Sequence, residues 1–165
     1  MRKIIIGVMG PGEAATTDDL HNAYELGRLI AQQGWILLTG GRNVGVMEAA
    51  NQGAKSANGL TLGILPGSQP EGISAAVDIA IFTDMGNARN NINVLSSHLV
   101  IACGMGVGTA SEIALALKAH KPVILLIDDT NSRNFFQKLS GDNVYFADSA
   151  LDAIATALKV LSAEC

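Results

Sequence analysis

Short apolar runs rich in Ile, Val and Leu alternate along this chain with longer segments in which apolar residues recur at helical spacing. Residues 3–9, KIIIGVM, are apolar and β-branched and stop at Gly10-Pro11-Gly12, which predicts a buried strand. Residues 17–33 predict a helix, with Thr17 or Asp18 as its cap and Leu20, Tyr24, Leu26 and Ile30 on its apolar face. The same pattern predicts strands over 35–41, 60–67, 77–83, 98–104, 122–128 and 143–147. It predicts helices over 45–57, 87–97, 109–120 and 149–165.

The strands are continuous apolar runs rather than alternating ones, and they take turns with helices. That combination belongs to a parallel sheet covered on both faces. The expected fold class is α/β: a doubly wound, mainly parallel sheet of about seven strands with helices on both faces, Rossmann-like. No linker, repeat or low-complexity tract interrupts residues 1–165, so a single ligand-binding domain is expected.

Glycines cluster where the strands end. They fall at Gly10 and Gly12, at Gly40 and Gly41, at Gly67, and at Gly104, Gly106 and Gly108. Glycine packs poorly and costs backbone entropy, so "CGMGVGTASE" (103–112) raises the question of what approaches the backbone there. In a parallel sheet every strand-to-helix turn lies on one edge, and ligands bind outside that edge at the topological switch point. Helix N-termini there present unpaired N–H groups and partial positive charge, a site for an oxyanion.

Composition narrows the classes. Hydrophobic residues make up 48% and charged residues 16%, which predicts either surface buried between copies or an unusually extensive core; a homo-oligomer, dimer or tetramer, is the expectation. No apolar stretch reaches the roughly 18 residues of a membrane span, and the N-terminal segment meets Gly10 and Pro11 too early for a signal peptide. Two cysteines, Cys103 and Cys165, make no disulfide framework, so a cytoplasmic location is expected. A net charge of −4 and 4% aromatic residues argue against nucleic acid.

Two familiar phosphate motifs fail. The first turn does not fit G-x-G-x-x-G, and Thr39 and Gly40 stand where an acidic residue would hold a ribose. In "GGRNVGVM", Val46 and Met47 replace the Lys and Ser/Thr of a P-loop.

The segment "ARNNINVLSSHLVIACGMGVGTASE" resembles the LOG-like group, the cytokinin-activating phosphoribohydrolases. Arg89, Gly106, Gly108, Thr109 and Glu112 match its motif, whereas Asn90 replaces a lysine and Gly104 and Met105 replace Pro-Gly. A closer likeness runs through "IIGVMGPG", "GWILLTGGRNVGVM", "GILPG", "AVDIAI" and the whole of 88–126: these blocks are similar to the molybdenum cofactor carrier proteins. That resemblance implies a Rossmann-like homo-oligomer that binds, protects and transfers the molybdenum cofactor (molybdopterin) as cargo, without chemistry on it. Molybdenum enzymes or cofactor-biosynthesis proteins would be donor and acceptor. The hydrolase likeness implies instead a nucleoside 5′-monophosphate phosphoribohydrolase with Arg89 and Glu112 catalytic. A nucleotide sensor of the same superfamily is a third reading.

The cofactor is a pterin dithiolene ending in a phosphate monoester. Gly106, Val107, Gly108 and Thr109 at a helix start can donate N–H groups to the phosphate, and Arg89 can add a bidentate cation. The turns after the first two strands, with Gly10, Pro11 and Gly12 and with Gly40, Gly41, Arg42 and Asn43, are expected to hold the pterin, Met9 and Pro11 forming walls. Gly104, Met105 and Glu112 complete the candidate cofactor-binding set. Glu112 also suits the helix dipole by itself. Cys103, Trp35 and Leu37 read as core, Asp128 and Asp129 as capping or loop residues, and His21, His98 and His120 lack metal-ligand spacing, so no metal site is expected. Helices 87–97 and 109–120 are interface candidates through Ser96, Ser97, Ala114, Ala116 and Ala119.

Overall fold

A computed structural model describes residues 3–163. Seven strands form one sheet: β1 (Ile5–Met9), β2 (Ile36–Thr39), β3 (Thr61–Leu65), β4 (Ile79–Phe82), β5 (Leu99–Cys103), β6 (Val123–Leu126) and β7 (Val144–Phe146). Their order is β4-β3-β2-β1-β5-β6-β7, and every ladder is parallel, for example Ile5 beside Ile36 and Met9 beside Ala102. Outside the strands, Arg42 and Ile73 form an isolated antiparallel bridge. The expected α/β fold is therefore the observed one.

Among the described residues six helices cover the sheet: α1 (Thr17–Gln32), α2 (Gly45–Ser56), α3 (Arg89–Ser96), α4 (Val107–Lys118), α5 (Thr130–Ser140) and α6 (Ala150–Ala163). α1, α2 and α6 pack on one face through Leu26, Ile30, Ala50 and Ile154 against Ile6, Leu37, Ile101 and Ile124. α3, α4 and α5 pack on the other through Val94, Ile113 and Phe136 against Leu38, Val100 and Leu125. Alternate residues of one strand enter opposite cores, which is why the central strands read as unbroken apolar runs. α1 and α2 approach so closely that a side chain at Gly27 would overlap the Ala50 carbonyl, and one at Gly53 the Tyr24 carbonyl.

Several local expectations are corrected. Thr16, not Thr17 or Asp18, caps α1: its Oγ1 accepts the Asp19 N–H at 3.1 Å, and the Asp19 carboxylate accepts the Thr16 N–H at 2.9 Å. Leu20 and Tyr24 are exposed, and small residues Ala23 and Gly27 join Leu26 and Ile30 on the buried face. The segment 87–97 divides into a 3-10 turn, Gly86–Ala88, and α3. α5 escaped the periodicity because its apolar residues are few and only Phe136 is buried, while Phe135 and Leu139 are exposed. Asp129 opens it by accepting N–H groups from Asn131 and Ser132, the capping role expected of this pair. β4 is apolar yet exposed, because it is an edge strand. Ser97 and Ala116 are buried inside the chain and are not available to an interface. Cys165 and the end of the predicted 149–165 helix lie outside the described residues.

Candidate ligand-binding site

The strand order reverses between β1 and β5, so the turns leaving these two strands diverge and leave a gap at the carboxyl edge. That gap is a cleft of about 430 Å³. The β1–α1 turn supplies Gly10, Pro11 and Gly12, the β2–α2 turn supplies Gly40 and Arg42, and the end of the β5–α4 turn with the first turn of α4 supplies Gly106 through Thr109. Arg89 and Glu112 close the floor, and Met9 and Met47 form apolar walls. Eleven of the fifteen residues singled out in the sequence thus line one cleft.

The glycines of "CGMGVGTASE" divide into two kinds. Gly104 has φ +76°, and a Cβ there would meet the Asp19 carboxylate at 2.5 Å. Its role is the turn itself. Gly106 has an extended backbone with φ −159°, and a Cβ would make only an ordinary 3.5 Å contact with Pro11. Gly108 has open space where a Cβ would stand. Neither turn geometry nor packing within the chain demands glycine at 106 or 108. What their absent side chains provide is room outside the backbone, at the cleft.

Gly106 is the N-cap of α4, which starts at Val107, two residues before the expected start. The first helical bond runs from the Ala110 N–H to the Gly106 carbonyl at 2.8 Å, which leaves the N–H groups of Val107, Gly108 and Thr109 without helical acceptors. Thr109 is buried, and its Oγ1 has no hydrogen-bond partner among the described residues. A buried orphan hydroxyl is costly, and it belongs to a residue of the cleft lining.

Arg89 begins α3 and is nine-tenths buried. Its Nη1 donates to Asn90 Oδ1 at 3.3 Å, and its Nε has no partner among the described residues. Glu112 Oε1 lies 3.8 Å from Nη1, an ion pair without a hydrogen bond. Glu112 instead accepts from Asn93 Nδ2 at 2.9 Å. Burial pushes the Glu112 carboxyl above the usual carboxylate value, opposed by the Asn93 bond and the Arg89 charge. Burial likewise lowers the Arg89 value, opposed by Glu112; a guanidinium nevertheless stays charged.

Four candidates stand outside the cleft lining. Gly41 has φ +75° and lies against Gly63 on β3, its N–H donated to Thr39 Oγ1. Asn43 is exposed, and its N–H is donated to the Gly72 carbonyl. Gly104 serves the turn, and Met105 faces a separate apolar groove with Phe135 and Phe136. The cleft also includes Met47, Glu13, Ala14, Asn87 and Asn90. Met47 was legible as the residue one turn into a helix that begins at a glycine turn; Asn87 depends on the 3-10 turn and carried no pattern.

Cys103 is fully buried at the end of β5, its thiol donating to the Asp19 carbonyl and pushed up to about 12 by burial. Trp35 and Leu37 are core, as expected. Among the described residues no group of three His, Cys, Asp or Glu could hold a metal ion.

The sequence profile of the SLOG cluster4 family matches residues 3–154. The chain belongs to that family. The molybdenum cofactor binding protein from the phototrophic bacterium Rippkaea orientalis superposes with a TM-score of 0.96 at 63% identity, over 98% of this chain and 99% of that one. The molybdenum cofactor carrier protein from Chlamydomonas reinhardtii does so with a TM-score of 0.92 at 53% identity and the same coverage. The cytokinin riboside 5′-monophosphate phosphoribohydrolase of Mycobacterium tuberculosis is 33% identical over 116 residues, 66% of this chain and 62% of that enzyme. Both resemblances read in the sequence are thus found, and that to the carrier proteins extends over nearly the whole SLOG cluster4 chain.

Proposed function

We propose that this chain binds the molybdenum cofactor as cargo, protects it and hands it on without turning it over. The observation that carries this reading is the convergence, in one cleft, of a helix N-terminus with Thr109 and Arg89, two residues whose buried Oγ1 and Nε lack a partner among the described residues. Such a set suits a phosphate monoester: the N–H groups of Val107, Gly108 and Thr109 would take its oxygens and Arg89 would add charge. The flat pterin would lie between Met9, Met47 and Pro11, with Arg42 at its polar edge. The two high-identity structures named for this cofactor support the assignment.

The reading includes a single domain acting in the cytoplasm, with molybdenum enzymes or cofactor-biosynthesis proteins as donor and acceptor. Among the described residues no helix is long and apolar enough to cross a membrane. A homo-oligomer, dimer or tetramer, is supported by the exposure of Ile79, Ile81 and Phe82 on the edge strand and of Leu95 on α3. Sedimentation at micromolar concentration tests it, and a monomer would refute it.

A second reading, nucleoside 5′-monophosphate phosphoribohydrolysis, is favoured by the retention of Arg89 and Glu112 together in the cleft. One titration separates the two. The protein is titrated anaerobically with molybdenum cofactor, alone and with excess AMP, and the AMP samples are assayed for adenine. Saturable binding without adenine is expected, with Arg89→Ala weakening it about ten- to a hundredfold. Adenine release that disappears in Glu112→Ala would establish the hydrolase. Intact AMP displacing the cofactor would indicate a nucleotide sensor.

A further inference from the structure

Asn93 lies one turn beyond Arg89 on α3, fully buried and outside the cleft lining. Its Nδ2 holds Glu112 Oε1 at 2.9 Å, while its own Oδ1 has no partner among the described residues. Isolating an amide with an unpaired carbonyl is unfavourable in a core, so a residue kept there needs a reason. A carboxylate facing a guanidinium ordinarily closes to a short, often bidentate pair. Here the approach stops at 3.8 Å, and Arg89 Nε stays unengaged. The Asn93 amide is the donor that occupies Glu112 instead.

We propose that Asn93 is a positioning residue that holds Glu112 back from Arg89 and so keeps the guanidinium free for the cargo's phosphate. The inference rests on the reading of Arg89 as the phosphate's cation. Asn93 touches no ligand itself. It works by competing for one carboxylate oxygen, and it satisfies part of a buried acid without neutralising the arginine opposite. The other charged groups of the cleft are Arg42, from the β2–α2 turn, which acts on Arg89 by repulsion, and Glu13, from the β1–α1 turn.

Asn93→Leu keeps the approximate volume and removes the amide. Glu112 is then expected to close on Arg89. In the ligand-free protein, a ¹³C NMR titration should show the Glu112 carboxyl titrating lower than in the wild type. Loss of the amide donor without closure would move it higher, so the direction decides the geometric claim. In anaerobic titrations with molybdenum cofactor, Asn93→Leu should bind about tenfold more weakly or worse. Adding Glu112→Gln should restore the affinity to that of Glu112→Gln alone, since a neutral amide no longer captures Arg89. Asn93→Ser, too short to reach Glu112, serves if the leucine variant does not fold. An upward shift of Glu112, unchanged affinity in Asn93→Leu, or failure of the second substitution to restore binding would overturn the proposal. Equal affinity of wild type and Arg89→Ala would instead refute the phosphate reading, and the direction of the Glu112 shift would still judge the role of Asn93.

Discussion

The guanidinium of Arg89 occupies the space that a side chain at Gly40 would fill: a Cβ there would stand 2.7 Å from Nη2 and 2.8 Å from Nη1. The second glycine turn therefore acts on the cleft at a distance in sequence. It leaves out a side chain at the end of β2 so that an arginine from α3 can lie across the backbone. Met47 closes the same space from α2, its sulfur 2.7 Å from that Cβ position.

Gly40→Val should consequently displace Arg89 and reduce cofactor affinity at least as far as Arg89→Ala does. It should also lower stability by roughly 1–3 kcal/mol through overpacking. Cofactor titration beside urea unfolding checks both. Wild-type affinity in Gly40→Val would show that Arg89 can bind from another position.

Gly108→Ala separates folding from binding. Nothing lies near the new methyl group, and alanine in the first turn of α4 should leave stability unchanged or raise it by about 0.5–1 kcal/mol. Cofactor affinity should fall, because the methyl group takes the room a ligand needs beside the backbone N–H groups. A variant equal to wild type in both measurements would remove Gly108 from the site.

Glu112 predicts a pH dependence. Its carboxyl is raised above its ordinary value, chiefly by burial, so the folded state binds this proton more tightly than the unfolded chain does. The cost of burying the charge is fully present above the raised folded value. It is relieved as pH falls through that value toward the ordinary carboxylate range. Measured by urea unfolding from about pH 7 to pH 4, the wild type should gain stability relative to Glu112→Gln as the pH falls. An unchanged difference across the range would show that the Asn93 bond and the Arg89 charge offset burial completely.

Cys103 should be inert. Its thiol is buried and pushed up to about 12, so almost no thiolate exists near neutral pH. Alkylation at neutral pH, read by mass spectrometry on the peptide containing residue 103, should proceed only after unfolding. Rapid labelling of the folded protein would reveal an opening of the β5–α4 turn.

Much of the fold was legible because unbroken apolar runs such as "KIIIGVM" and "HLVIACG" encode strands buried on both faces, and such strands must be parallel and helix-connected. β4 escaped that logic: "VDIAIFT" is as apolar as its neighbours but ends at the sheet edge. The glycine turns likewise located the binding edge, but sequence could not rank glycines. Gly41 and Gly104 are needed for backbone conformation, Gly40 for the space Arg89 fills, and Gly108 for nothing inside the chain.

The periodicities, the parallel α/β architecture and the edge on which anion-binding helix starts converge were all encoded locally, because they follow from hydrophobic spacing and turn chemistry. Which turns share a cleft, that Arg89 lies over Gly40, and that Asn93 rather than Arg89 bonds Glu112 emerged from the packed chain alone. Those relations join residues far apart in the chain or on different helices. They depend on strand order and on side-chain geometry in three dimensions, which no local pattern carries.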